Sequence, residues 1–82
     1  MGELDRVEVT ERVQRILADV LNLDQPPAPS ARLVDDLGAE SIDVLSLIFE
    51  LEEAFGRSVS DERIAAIATV DDLVDEVLRA AP

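Results

Sequence analysis

One serine in this sequence stands where a polar side chain could do chemistry at a helix end. Ser41 follows a glycine-containing turn and directly precedes a long helical pattern, in the stretch Asp35-Asp36-Leu37-Gly38-Ala39-Glu40-Ser41-Ile42-Asp43. We predict Ser41 to be the N-cap or first residue of that helix, with its hydroxyl exposed. A phosphate ester there would face unpaired backbone N–H groups and the positive end of the helix dipole. Serine is also an ordinary capping residue, so both interpretations fit these residues alone.

Residue types that the sequence lacks exclude most catalytic chemistry. There is no Cys and no His, and all seven cationic residues are Arg. Thiolate, imidazole and Schiff-base chemistry are therefore excluded, and no Gly-x-Ser-x-Gly nucleophile turn surrounds Ser41. The paired acids Asp35-Asp36, Glu52-Glu53 and Asp71-Asp72 lack the spacing of a calcium loop. We predict no catalytic residue, no metal site and no enzyme activity.

The charge balance predicts what kind of partner the chain meets. Nineteen Asp and Glu oppose seven Arg, for a net charge of -12. Such a field repels nucleic acid and anionic lipid and attracts basic protein surfaces, although it could also serve solubility alone. No apolar run reaches the ~18 residues of a membrane span, and the segment from Met1 to Thr10 is polar. We expect a cytoplasmic protein with no nucleic-acid or membrane partner.

The elements that position Ser41 are predicted to be all α-helical. Eighty-two residues suffice for one domain, 1–82, and the spacing of apolar residues predicts helices near 7–22, 41–55 and 70–79. A proline-rich loop follows the first helix, and a short third helix begins at Ser60. This is a four-helix bundle with a long connection between helices one and two. Three apolar residues are expected to anchor that connection to the core: Leu33, Val34 and Leu37.

The helix that begins at Ser41 carries two apolar stripes. One follows helical spacing and predicts the core face: Val44, Leu47, Ile48, Leu51 and Phe55. The other lies on an adjoining face: Ile42, Leu45 and Phe49. A chain this short can hardly bury both, so the second stripe is either an exposed docking surface or an extension of the core.

The stretch around Ser41 resembles the motif of the acyl carrier protein family. Asp36-Leu37-Gly38-Ala39-Glu40-Ser41-Ile42-Asp43 is similar to Asp-Leu-Gly-Ala/Gly-Asp-Ser-Leu-Asp, in which the serine receives 4'-phosphopantetheine. The likeness spans nearly the whole chain. Further similar segments are Arg12-Val13, Leu51-Glu52-Glu53-Ala54-Phe55-Gly56 and Ala68-Thr69-Val70-Asp71-Asp72-Leu73.

This resemblance implies a non-catalytic, monomeric carrier. A phosphopantetheinyl transferase would load Ser41 from coenzyme A, and the arm's thiol would carry acyl groups as thioesters. Helix two would then be the recognition helix for partners with basic docking patches: acyltransferases, ketosynthases, or acyl and aminoacyl ligases. Carried over by position, the charged contacts are Glu40, Asp43 and Glu52, and the apolar contacts are Ile42, Leu45 and Phe49.

Three departures from the family pattern bear on the pathway. Glu40 replaces the usual Asp, Ile42 the usual Leu, and Ser46 stands where fatty-acid carriers usually keep a Glu. These differences favour a polyketide or related specialised pathway. A peptidyl carrier of nonribosomal peptide synthesis and an unmodified acidic interaction scaffold remain the alternatives.

Overall fold

The computed structural model describes residues 5–80. They form four helices: α1 (Arg6–Leu21), α2 (Ser41–Phe55), α3 (Asp61–Ile64) and α4 (Val70–Arg79). No β-strand occurs in these residues, so the predicted all-α architecture with a long first connection and a short third helix is confirmed. No helix in this part of the chain has the length and apolar character needed to cross a membrane.

The core forms where α1 packs against both α2 and α4. Each of the three long helices contributes a stripe at helical spacing, which buries apolar surface on one side and leaves charge on the other. The buried members are Val9, Val13 and Leu17 of α1, Leu47, Ile48 and Leu51 of α2, and Val70, Leu73, Val74 and Val77 of α4. Val44 and Phe55 are half-buried against the same core. The predicted core face of α2 is therefore confirmed.

The start of α4 is capped by a reciprocal pair of side chains. Thr69 Oγ1 accepts a hydrogen bond from Asp72 N–H at 3.1 Å, and Asp72 Oδ2 accepts from Thr69 N–H at 2.9 Å. The same carboxylate oxygen also accepts from Ala68 N–H at 2.8 Å. Hydrogen bonds from Ala68 and Thr69 outweigh the effect of burial and hold the pKa of Asp72 below its ordinary value of 3.8. The cap therefore depends on a carboxylate that stays ionised.

The long connection before α2 is tied to the start of α4 by backbone hydrogen bonds. Leu33 N–H donates to Ala68 O at 2.9 Å, and Val70 N–H donates to Ala31 O at 3.1 Å. This register turns Leu33 into the core, where it is 1% exposed, but leaves Val34 59% exposed. The prediction that Val34 anchors the connection is wrong, because its neighbour is held inward and the chain turns immediately after it.

The short helix α3 is tied to α2 and α4 by one carboxylate of each helix. Before α3, Glu52 Oε2 accepts from Val59 N–H at 2.8 Å. Within it, Arg63 Nε donates to Glu76 Oε1 at 2.9 Å. Glu76 is the one charged residue that is buried in the described part of the chain, at 6% exposure. The position of α3 thus depends on polar ties to α2 and α4 as much as on its own apolar residues.

Candidate attachment site and docking face

Ser41 is the first residue of α2, and its side chain is exposed. Glu40 is the N-cap residue, and its backbone N–H donates to Asp43 Oδ2 at 2.9 Å. On the other side, Ala39 is buried and its N–H donates to Leu33 O at 2.9 Å. The hydroxyl is thus presented outward from a backbone that is hydrogen-bonded on both sides. This agrees with the sequence prediction for the position of Ser41.

The turn before the serine requires a left-handed backbone. Gly38 has φ +73°, and a Cβ there would meet no atom within 4 Å. Open space means that the glycine is needed for its backbone conformation and not to avoid a clash. The Asp36-Leu37-Gly38 part of the motif therefore has a local structural purpose, which is to reverse the chain so that Ser41 can begin α2.

An apolar cleft of about 540 Å³ opens directly beside Ser41. It lies between the first turns of α2 and the α3 segment, and apolar side chains line most of it: Val34, Ala39, Val44, Leu45, Ile64 and Ile67. Ile64 and Ile67 are half-buried, and both line this cleft. The spacing of apolar residues in the sequence gives no signal that space remains between these two residues and α2.

The second apolar stripe of α2 faces outward. Ile42, Leu45 and Phe49 are 66%, 55% and 60% exposed. Leu45 also lines the cleft, so the stripe and the cleft form one continuous apolar surface next to Ser41. Three large exposed apolar side chains on one helix face form an apolar patch that the core does not cover. The alternative that this stripe widens the core is thereby excluded.

The acidic residues predicted for docking differ in exposure and in whether their side chains accept hydrogen bonds from the backbone. Glu40 is exposed beside Ser41. Asp43 and Glu52 are half-buried, and each accepts a backbone hydrogen bond, from Glu40 N–H and Val59 N–H respectively. The structure therefore places all three around α2 but gives two of them a structural task.

The chemistry available at the site is attachment and presentation. No group of three or more carboxylates among residues 5–80 is arranged to hold a metal ion. An exposed serine hydroxyl at a helix N-terminus is well placed to carry a phosphodiester, because the dipole offsets part of the phosphate charge. The neighbouring cleft offers apolar space to whatever the phosphate carries.

Comparison with known proteins agrees with this geometry. The family described as "phosphopantetheine attachment site" matches residues 11–77. The acyl carrier protein of Rubrobacter xylanophilus is 43% identical over 76 residues, which cover 92% of this chain and 94% of that one. The chain belongs to the acyl carrier protein family. It follows that its prosthetic group is covalently attached 4'-phosphopantetheine, and that it is a carrier and not an enzyme.

Solved structures of acyl carrier proteins share the fold. A Mycobacterium tuberculosis protein assigned to this family has a TM-score of 0.81 and 32% identity, over 84% of this chain and 93% of its own. The acyl carrier protein of Thermotoga maritima has a TM-score of 0.76 and 28% identity, over 90% of this chain and 87% of its own. Acyl carrier proteins interact with phosphopantetheinyl transferases and acyl-processing enzymes, which are the partner classes to consider here.

Proposed function

We propose that Ser41 carries the 4'-phosphopantetheine arm and that the chain presents acyl thioesters on it to biosynthetic enzymes. The observation that carries this proposal is the exposed Ser41 hydroxyl at the first residue of α2, beside an apolar cleft. In the loading step a phosphodiester bond forms between Ser41 Oγ and the phosphopantetheinyl phosphate of coenzyme A. The nucleotide part of coenzyme A leaves, and the serine proton goes to solvent or to the transferase.

The chain's own residues support that step by position alone. The positive end of the α2 dipole lies at the attachment point, and the backbone hydrogen bonds of Glu40 and Ala39 limit its motion. No side chain of this chain has to act as a general base, since it has no His or Lys and the transferase supplies the chemistry. In this proposal the chain works as a cytoplasmic carrier.

Docking is assigned to the outward face of α2. Ile42, Leu45 and Phe49 supply the apolar contact, and acidic side chains around them steer basic patches of successive partner enzymes. Electrostatic steering speeds encounter while leaving affinity modest, which suits a carrier that must release each enzyme in turn. Charge assignments from the sequence, Glu40, Asp43 and Glu52, remain a prediction.

The pathway we favour is polyketide or other specialised metabolism. Ser46 is exposed on α2, so a neutral hydroxyl stands at a place where fatty-acid carriers usually present a carboxylate. Its neighbours on the helix face are the docking residues Ile42 and Phe49. A partner enzyme that recognises a carboxylate at the position of Ser46 would bind this face less well. Cargo loading by candidate ligases, with acyl and aminoacyl substrates compared, separates this pathway from a peptidyl carrier.

The decisive experiment is a mass measurement. Purified protein is incubated with coenzyme A, Mg²⁺ and a broad-specificity phosphopantetheinyl transferase, and its intact mass is recorded. We expect the mass of one phosphopantetheinyl group on the wild type and on Ser46→Ala, and none on Ser41→Ala. Ser46 is a matched control because it is an exposed serine of the same helix that lies away from its N-terminus. Modification of Ser41→Ala would refute the assignment, and a folded, unmodified wild type would favour the scaffold alternative.

A further inference from the structure

The fold requires a cation next to the wall of the cleft beside Ser41. Glu76 is the one charged residue that is buried among residues 5–80, and Arg63 Nε donates to Glu76 Oε1 at 2.9 Å. A buried carboxylate that loses its ion-pair partner destabilises the fold, so position 63 needs a positive charge. Arg63 directly precedes Ile64, which lines the cleft. The cation that neutralises Glu76 is therefore a neighbour of the apolar space at the attachment point.

A second cation lies close to the same cleft. Arg32 is exposed and comes two residues before Val34, which lines the cleft. Leu33 O accepts a hydrogen bond from Ala39 N–H at 2.9 Å, which holds this part of the chain against the residues that lead into α2. Among residues 5–80, no cation other than these two lies within two positions of a residue that lines the cleft.

The kind of cation decides whether it can react with a thioester. An uncharged lysine amine can attack the thioester carbonyl. A C–N bond then forms, the C–S bond breaks, and the proton of the nitrogen goes to the sulfur, which leaves as a thiol. The product is an amide, and the acyl group is lost to the carrier. A guanidinium stays protonated in proteins, so it can form the same ion pair and remain unreactive.

We infer that Arg32 and Arg63 keep the surroundings of the cleft free of amine nucleophiles, so that the chain can hold a reactive acyl thioester without acylating itself. The inference rests on the proposed function and adds a class of cargo to it. That class is acyl groups activated enough to acylate a nearby amine during the lifetime of the thioester. All seven cationic side chains of the sequence are Arg, so no other side chain supplies an amine.

Arginine-to-lysine substitutions test the inference, because they keep each charge and change its reactivity. Arg63→Lys and Arg32→Lys place an amine close to the cleft. The ion pair of Arg32 is exposed, so the fold of that variant does not depend on it. Arg12→Lys is the matched control. The Arg12 guanidinium lies 4.8 Å from the ring centre of Phe55, the last residue of α2, which is about 21 Å along the helix axis from Ser41.

The measurement separates acyl groups held as thioesters from those moved to an amine. Each protein is loaded by the transferase with acetyl-coenzyme A and kept at neutral and at mildly alkaline pH. Hydroxylamine then removes the remaining thioesters, and intact mass with peptide mapping locates acetyl groups that survive as amides. Unloaded variants are incubated in parallel with a soluble acetyl thioester, which measures the reactivity of each amine without the tether. Circular dichroism confirms the folding of each variant.

We expect Arg63→Lys and Arg32→Lys to gain a hydroxylamine-resistant acetyl group at the substituted position at least about tenfold faster than Arg12→Lys does. The rate should rise with pH, because only the uncharged amine attacks. Wild-type side chains should gain none. With the soluble thioester, the advantage of Arg63→Lys and Arg32→Lys over Arg12→Lys should disappear, since no tether then brings the acyl group near the cleft.

Three outcomes would overturn the inference while leaving Ser41 as the attachment point. They are equal acetylation of the three loaded variants, no amide in any variant after most of the thioester is lost, and a resistant acetyl group on a wild-type side chain. If Arg63→Lys does not fold, Arg32→Lys decides between these outcomes and the expected one. Wild-type protein that gains no phosphopantetheinyl mass overturns the proposed function and the inference together, because no thioester is then held.

Discussion

Removal of the Arg63 guanidinium should weaken the packing of α3 against α4 more than any other single loss of charge in the described part of the chain. The Nε and Nη2 atoms of Arg63 lie 2.9 and 2.8 Å from Glu76 Oε1. The Glu76 side chain is only 9% exposed, and the next cation, Arg79, is 3.9 Å away. Arg63→Met keeps the apolar stem but deletes the hydrogen bond and the ion pair, leaving a nearly buried carboxylate with one distant partner.

The size of the effect follows from burial. Hydrogen bonds to charged groups contribute about 1.5–3 kcal/mol, and half-exposure of Arg63 places this pair near the lower end, about 1.5–2 kcal/mol. In a domain of this size that corresponds to a fall in Tm of about 6–16 °C if the whole bundle responds. If α3 opens by itself, exchange of the Ala66 and Ile67 amide hydrogens should rise about ten- to thirtyfold.

Arg32→Met is the matched control for this experiment. The Arg32 and Asp35 side chains are 65% and 66% exposed, and their charged atoms lie 3.2 Å apart. An exposed pair of this kind contributes about 0.5 kcal/mol or less, so Tm should barely move. Thermal unfolding and amide exchange are measured for both variants, and for Arg63→Met/Glu76→Gln, which should recover stability because the unpaired charge is gone. Equal losses in Arg63→Met and Arg32→Met would refute the reasoning.

Two further predictions concern the α4 cap and the contact between α1 and α2. Because the pKa of Asp72 is lowered on folding, its contribution to stability should be complete above pH 3.8 and lost as the pH falls through the folded-state value. The Tm difference between wild type and Asp72→Asn should therefore shrink on acidification, and a difference that grows would contradict this. The Arg12 guanidinium lies 4.8 Å from the centre of the Phe55 ring, so Arg12→Gln should lower the free energy of unfolding in urea by about 0.5–1 kcal/mol. Arg15→Gln, on the exposed side of the same helix, should leave it unchanged.

Local signals in the sequence predicted much of this protein. Proline positions, helix spacing and caps placed α2 at Ser41–Phe55 and α4 at Val70–Arg79, because these signals act over a few residues and need no distant contact. The start of α2 at Ser41 was predictable for the same reason. The positive φ of Gly38 also follows from a local demand, the reversal of the chain before the helix.

Only the tertiary structure decided which side chains are free and which are engaged. Val34 and Leu33 have the same apolar character, and the hydrogen bond from Leu33 N–H to Ala68 O determines which one is buried. Glu76 looks like a surface residue of α4 until Arg63 of α3 covers it.

Tertiary contacts also determine which carboxylates of α2 are engaged and whether a cleft forms beside Ser41. Sequence spacing cannot tell Glu52 from Glu53, because the hydrogen-bond donor on Val59 comes from a turn seven residues later. The cleft exists because α3 does not pack closely against the first turns of α2. The distance between the two helices depends on both of them and cannot be read from the residues of either one. The sequence determined where the attachment serine and its helix begin. Contacts between distant segments determined which charges and which apolar faces remain for a partner, because burial is a property of the packed chain and not of a residue type.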